Sequence, residues 1–277
     1  MSLFPGVALV TGAGSGMMLP VAACCALTRR VWYGQIAISF AVEGCDKIAI
    51  LDKNVEGMAE TEAQVRATRP SPDLEVLAIK VDIRQEQEIL DAMALVVKHF
   101  SRIDYAVNCA GIFCLTKPSH ELETSEFDNI MSTNLRGLWI GSREEIKQMM
   151  QQDPLPTHDG RPGCRGSIVN IASNLGIVSK DGTPAYNASK TAIVSITRSD
   201  AIDYSPHNIR VNCVCPGIID TPMVADMPDD APGVLIAPMK RKGRPQEVAD
   251  AVLFLASAKA SFIQGTSLTV DGGYVIN

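Results

Sequence analysis

From residue 7 to residue 270, short apolar runs exchange regularly with longer amphipathic stretches. The runs are Val7–Val10, Lys47–Leu51, Glu75–Val81, Ala106–Asn108, Ser167–Asn170, Arg210–Val214 and Ser267–Val270. They are rich in β-branched residues and lack polar alternation, so both faces of each strand must be covered. The stretches between them (Gly34–Glu43, Val55–Thr68, Gln85–Phe100, Ser125–Gln151, Ala185–Tyr204 and Pro245–Ala256) predict helices that supply the cover. Right-handed crossovers then give an α/β fold: a doubly wound parallel sheet of about seven strands with helices on both faces. No repeat or Ser/Gly linker divides the 277 residues, so a single domain spanning 1–277 is expected. Residues 153–166, rich in Pro and Gly, read as an extended surface loop, and 221–243 as a lid over a substrate.

Composition narrows the partners. Twenty-five Lys and Arg against 31 Asp and Glu leave a net charge of −6, which argues against nucleic acid or an anionic membrane as partner. The eight cysteines (24, 25, 45, 109, 114, 164, 213 and 215) form no CxxC knuckle, and His99, His120, His158 and His207 are scattered. Free thiols in a reducing compartment and no metal site are the expectation. Cys213 and Cys215 alternate along a strand and share one buried face. The first charge is Arg29, yet the segment before it has no basic start and contains Pro5 and Pro20. Its longest apolar run, Met17–Leu27, is far short of the roughly 20 residues of a membrane span. A buried strand followed by a turn, in a cytoplasmic protein, is the reading.

That first strand runs into Thr11-Gly12-Ala13-Gly14-Ser15-Gly16. A glycine-rich turn after a first strand permits a tight bend and close backbone approach to a pyrophosphate at the next helix N-terminus. One spacer, a third glycine and a helix should follow. Instead Met17–Tyr33 intervenes, and only then comes Gly34-Gln35-Ile36-Ala37. An acidic residue for the adenosine ribose belongs about 20 residues past such a turn. Asp52 stands 36 positions past Gly16, and exchanging the 17 residues Met17–Tyr33 for one spacer brings that distance to 20. Residues 17–33 therefore read as an insert, either a stretch normally removed from the message or a helix-initiating elaboration. In both cases it lands where the pyrophosphate belongs.

Tyr186-Asn187-Ala188-Ser189-Lys190 opens the predicted helix after the fifth strand. Tyr and Lys at i and i+4 share a helix face, so the ammonium can lie near the phenol. Ser173, 13 residues upstream, ends a strand at its carboxyl end, where ligands bind on open parallel sheets.

Together with the glycine turn, this pattern resembles the classical short-chain dehydrogenase/reductase family, whose fold is Rossmann-type. The resemblance spans the chain apart from 17–33 and 153–166. Asn108-Cys109-Ala110-Gly111 is similar to its NAG motif, Asn134 to the asparagine of its catalytic tetrad, and Asp82, followed by Ile83, to its adenine-facing acid. Pro216-Gly217-Ile218-Ile219-Asp220-Thr221 is similar to its PG motif, with Ile219 and Thr221 at the nicotinamide carboxamide. Arg244-Pro245 and Asp271-Gly272-Gly273 match its C-terminal signatures. Met18 departs from the pattern: without a gap it takes the place of the third glycine, which the insert reading restores as Gly34.

The resemblance implies an NAD(P)(H)-dependent oxidoreductase that interconverts a secondary alcohol and a ketone. Tyr186 would be the general acid/base, Lys190 would stabilise its phenolate, Ser173 would orient the substrate oxygen, and Asn134 would hold a water that links Lys190 to solvent. Gly12, Ser15, Gly16, Gly34, Asp52, Asp82, Ile83, Asn108, Ala110, Gly111, Pro216, Gly217, Ile219 and Thr221, with Tyr186 and Lys190, would form the dinucleotide site. Asp52 would repel a 2′-phosphate, and Ser15 stands where NADP-preferring members often carry a basic residue, so NAD is favoured; Lys53 leaves room for NADP. Met223, Val224, Met227, Val234, Leu235, Ile236 and Met239, with Gly176-Ile177-Val178 at the mouth, suggest a small apolar substrate. Family members pair the helices that here carry Asn134 and Tyr186. Leu138, Ile146, Met149, Ile193, Ile196 and Ala201 are expected as their outward stripes, in a homodimer or homotetramer. The rival is a catalytically silent protein of the same fold, whose insert blocks cofactor binding.

Overall fold

Each of the seven apolar runs is a strand in the computed structural model of the chain, which describes residues 2–14, 34–113, 116–224 and 226–276. The strands are β1 (Val7–Thr11), β2 (Lys47–Asp52), β3 (Glu75–Lys80), β4 (Tyr105–Asn108), β5 (Gly166–Ile171), β6 (Ile209–Pro216) and β7 (Ser267–Val270). They form one sheet in the order β3-β2-β1-β4-β5-β6-β7, parallel at every pairing. Strand order reverses between β1 and β4, which opens a crevice beyond their carboxyl ends. β1, β4, β5 and β6 are buried along their whole length, as their unbroken apolar character requires, whereas β3 lies on the edge and is partly exposed.

Helices α1 (Gly34–Val42), α2 (Val55–Thr68), α3 (Glu86–Phe100), α4 (Thr124–Met131), α5 (Leu138–Met149), α6 (Pro184–Tyr204), α7 (Pro232–Ile236) and α8 (Pro245–Ala256) complete the fold. Successive residues of β1 serve opposite layers. Ala8 and Val10 pack with residues of α1 and α8, and Val7 and Leu9 with those of α3 and α5. Cys213 and Cys215 do share a buried face, packed with Leu138, Ala172, Ile193 and Val194. Among the described residues no helix is long and apolar enough to cross a membrane.

Two expectations are corrected. The single helix over Ser125–Gln151 is interrupted by a π-helical turn at Ser132–Gly137 between α4 and α5. This widened turn carries Asn134, whose amide makes two buried hydrogen bonds to the backbone of Ile112 and so offsets the irregular ladder. The second concerns the outward stripes. Leu138, Ile146, Met149, Ile193 and Ala201 are buried, and Ile196 is half-buried, because this apolar spacing is what docks each helix onto the sheet. The apolar residues that face outward on α5 and α6 are Trp139 and Ile202, the latter 75% exposed.

Candidate active site

The crevice between β1 and β4 is built by backbone proximity. Gly12 has φ +74°, and a Cβ there would stand 2.7 Å from the backbone of Ala110, so only glycine fits. Beyond it the turn is fastened to β2 and α2. Asp52 accepts hydrogen bonds from the N–H of Gly14 (2.9 Å) and of Asn54 (2.8 Å), Asn54 Nδ2 donates to Gly14 O (3.2 Å), and Thr61 Oγ1 donates to Ala13 O (2.7 Å). Burial raises the Asp52 carboxyl above the usual aspartate value, and the two N–H groups oppose that rise. Asn54 and Thr61 were not foreseen. The signal for Asn54 was its place as N-cap of α2, where its side chain accepts from Gly57 N.

A cleft of about 160 Å³ opens beside this turn, lined by Gly12, Asp52, Asp82, Ile83, Ala110 and Gly111 among others. Asp82 is held by Arg84, whose Nε reaches both carboxylate oxygens (2.9 and 3.1 Å) and keeps that carboxyl below its ordinary value. Gly34 opens α1 and is buried. Ser15, Gly16 and the expected insert at 17–33 lie outside the described residues.

A larger cavity, about 840 Å³, continues from the cleft, and the two share Gly111 and Ile112. Ser173, Tyr186 and Lys190 line it together with Pro216, Gly217, Ile219 and Thr221. Ser173 sits on the short turn after β5. Its Oγ accepts from Leu175 N (3.1 Å) and donates to Asn174 Oδ1 (3.2 Å). Pro184 pre-sets the first turn of α6, which brings Tyr186 to the cavity and Lys190 one turn behind it. Lys190 Nζ lies 5.7 Å from the centre of the Tyr186 ring and donates to Ile171 O at 2.9 Å. It is buried, and burial pulls its pKa down from 10.5 to about 8. Phe113 meets the Tyr186 ring edge-on, with centroids 4.8 Å apart.

Asn134 is fully buried. Its Oδ1 accepts from Ile112 N (2.7 Å), and its Nδ2 donates to Ile112 O (2.9 Å) and Ser189 Oγ (3.2 Å). A Cβ on Gly111 would fall 3.3 Å from Asn134 Oδ1 and 3.5 Å from Lys190 Nζ, so the bare glycine keeps open the space between them. Asn108 is placed differently from the rest. Its side chain lines neither cavity, and its Nδ2 donates to Glu145 Oε2 (2.9 Å) and Asn170 Oδ1 (3.1 Å). The sequence offered no signal for Glu145, a carboxylate buried on an amphipathic helix.

Of the lid residues, Met223, Val224, Met227 and Ile236 line the cavity; Val234, Leu235 and Met239 do not. Val234 is buried beneath the lid, and Met239 is 65% exposed on its outside. Gly176-Ile177-Val178 does not reach the mouth either. The turn at Asn174–Gly176 brings Gly176 against the Lys190 carbonyl, within 2.7 Å of where a Cβ would stand, and leaves Ile177 exposed. Among the described residues no group of three or more His, Cys, Asp and Glu is placed to hold a metal ion.

A family model described as Enoyl-(Acyl carrier protein) reductase matches residues 34–275. The short-chain dehydrogenase fogB of Aspergillus ruber is 38% identical over 246 residues, covering 86% of this chain and 90% of that protein. This chain belongs to the short-chain dehydrogenase/reductase family. Within the family it is also similar to the cyclopentanol dehydrogenase of Comamonas sp., at 35% identity over 276 residues, covering 98% of this chain and 97% of the other. The solved 3-ketoacyl-(acyl-carrier-protein) reductase from Brucella melitensis, complexed with NADH, superposes with a TM-score of 0.82 at 29% identity, covering 99% and 100% of the two chains. The protein is an oxidoreductase of this family that works with a nicotinamide cofactor. Its crevice fits a dinucleotide. The Gly12 backbone is bare at the strand switch, Asp52 and Asp82 line one end, and the Pro216–Thr221 segment lines the other.

Proposed function

We propose that the protein interconverts a secondary alcohol and a ketone on a small, mostly apolar substrate, with Tyr186 as general acid/base and NAD(H) as the preferred cofactor. The observation that carries this is the meeting of Ser173, Tyr186 and Lys190 in one cavity with Pro216, Gly217, Ile219 and Thr221. The nicotinamide, when bound, supplies or accepts the hydride. The Tyr186 hydroxyl exchanges the proton with the substrate oxygen. A free phenol ionises near pH 10, and lowering that by about 3 units requires about 4 kcal/mol of added stabilisation of the phenolate. The Lys190 ammonium, desolvated beside the ring, is the chain's own source of that stabilisation. Ser173 Oγ, fixed by the Leu175 N–H, turns its proton to the same substrate oxygen. Asn134, across the Gly111 gap from Lys190, holds a water that passes the proton on.

The same reading assigns one domain to 1–277, a surface loop to 153–166 and a lid to 221–243. A homodimer or homotetramer is supported by the outward Trp139 and Ile202 on α5 and α6. Residues 17–33 are an insert, supported by the start of the family match at residue 34. That observation also supports the second reading, a protein whose insert keeps the dinucleotide out. Tyr186→Phe tests the chemistry. It is expected to remove at least about 100-fold of the turnover while dinucleotide affinity stays the same, and surviving turnover would refute the role of Tyr186.

A further inference from the structure

Beside Ser173 the wall of the cavity carries Asn174, 4% exposed, and the same cavity is lined by the apolar Phe113, Ile218, Met223 and Met227. Its backbone carbonyl accepts from the N–H of both Ile177 and Val178, so the residue is anchored on its turn. Its Oδ1 accepts the Ser173 hydroxyl at 3.2 Å, while its Nδ2 has no hydrogen-bond partner among the described residues. Nδ2 is not among the unpartnered atoms sealed from solvent, and Asn174 lines the cavity. An amide donor left unmatched in a largely apolar cavity is costly unless a ligand supplies the acceptor.

Catalysis alters this arrangement. Ser173 has one hydroxyl proton, and Leu175 N–H already occupies a lone pair of its Oγ. Once that proton turns to the reacting oxygen, Asn174 Oδ1 loses its donor and the amide then lacks both partners. A hydroxyl on the substrate satisfies the two at once, since it donates to Oδ1 and accepts from Nδ2. A carbonyl or ether would satisfy Nδ2 alone. The amide and the reacting oxygen are both partners of Ser173 Oγ, which puts them roughly 4–5 Å apart. A second hydroxyl one or two carbons from the reacting carbon can span that distance.

We infer that Asn174 is a specificity residue and that the substrate is a hydroxy-ketone or, in the oxidative direction, a diol whose second hydroxyl lies one or two carbons from the reacting carbon. This rests on the alcohol–ketone reading above. The test compares kcat/KM for cyclohexanol, cyclohexane-1,2-diol and cyclohexane-1,3-diol, which differ by one hydroxyl on the same ring. In the wild type at least one diol should exceed cyclohexanol about tenfold, as a site built to bond a hydroxyl discriminates against the analogue that lacks it. Asn174→Leu, close in size and without polar atoms, should bring that ratio below about threefold; Asn174→Ala is read in the same way should the leucine variant fail to fold. A wild-type enzyme that treats the three alcohols alike overturns the inference, and so does a variant that keeps the diol preference. If neither these alcohols nor their ketones are turned over, the alcohol–ketone reading itself fails, and the inference with it.

Discussion

Replacing Lys190 by Met should abolish turnover yet make the protein more stable at neutral pH. The ammonium is buried, 5% exposed, with one hydrogen bond, to Ile171 O, and no carboxylate pairs with it among the described residues. Burial has moved its pKa from 10.5 to about 8. At about 1.4 kcal/mol per pH unit, holding the charge inside the fold costs about 3 kcal/mol while both folded and unfolded chains are protonated. Methionine has a similar length and no charge. It forfeits the bond to Ile171 O, worth about 1 kcal/mol, so a net gain of about 2 kcal/mol is expected at pH 7. The sign with pH follows from the depressed value. Below pH 8 both states of the wild type carry the proton and the variant keeps its full advantage. Between pH 8 and 10.5 the folded wild type releases the proton first, so its stability rises and the advantage shrinks through zero, leaving only the lost hydrogen bond against the variant. Urea unfolding of both proteins at pH 7, 8, 9 and 10, without dinucleotide and with reductant, measures the difference. A variant less stable than wild type at pH 7, or a difference that does not change with pH, would refute the reasoning.

Glu145 should behave in the mirror sense. Fully buried, with Oε1 unpartnered, its carboxyl is pushed up from 4.5 to about 7, so the ionised form weakens the fold as pH rises through that interval. Glu145→Gln should match the wild type near pH 4.5 and exceed it by up to about 3 kcal/mol above pH 7, and equal pH profiles for the two in urea unfolding would count against it. Asp52 predicts at least about a tenfold lower KM for NAD than for NADP, since its carboxylate repels a 2′-phosphate; equal constants in steady-state kinetics would remove that role. For the insert, titration calorimetry with NADH is expected to show binding by a chain in which Met17–Tyr33 is replaced by one Ile. Comparable affinity in the full chain would mean the insert leaves the pyrophosphate site open. Loss of binding in the full chain alone would mean that it blocks the site, and loss in both would end the dinucleotide reading.

Much of this architecture is legible in the chain because the physics that sets it is local. A buried parallel strand must be apolar on both faces, so the seven runs stand out, and their ends shift by only one or two residues. Tyr186 and Lys190 are four apart on a helix, so their neighbourhood follows from the spacing once the helix is granted. What the sequence hid depends on contacts from distant segments. The π-helical turn at Ser132–Gly137 leaves the helical period of its neighbours intact, and the Asn134 bonds that offset it reach Ile112, 22 residues away. The hydrogen-bond partner of buried Glu145 is Asn108, 37 residues away. The outward stripes of α5 and α6 were misread for a related reason: an apolar stripe states that something covers it but not which body does, and here the sheet takes it.

The buried charges share a location. Lys190, Glu145 and Asp52 each have an ionisation shifted by burial in the direction that disfavours the charged form, and each lies at or just under the carboxyl ends of the strands. The apolar strand interiors carry the opposite load, with β1, β4, β5 and β6 buried throughout. A charge becomes useful to a reacting oxygen where water no longer screens it, and that same desolvation makes it costly to the fold. Stability and the candidate chemistry are thus divided along each strand, with the core in its length and the strained charges at its end. A substitution that relieves one of those charges should therefore raise stability and lower turnover together. Of the three, Lys190 is the cleanest case: it is buried with its ammonium 5.7 Å from the centre of the Tyr186 ring, whereas Glu145 is bonded to Asn108, which lines neither cavity.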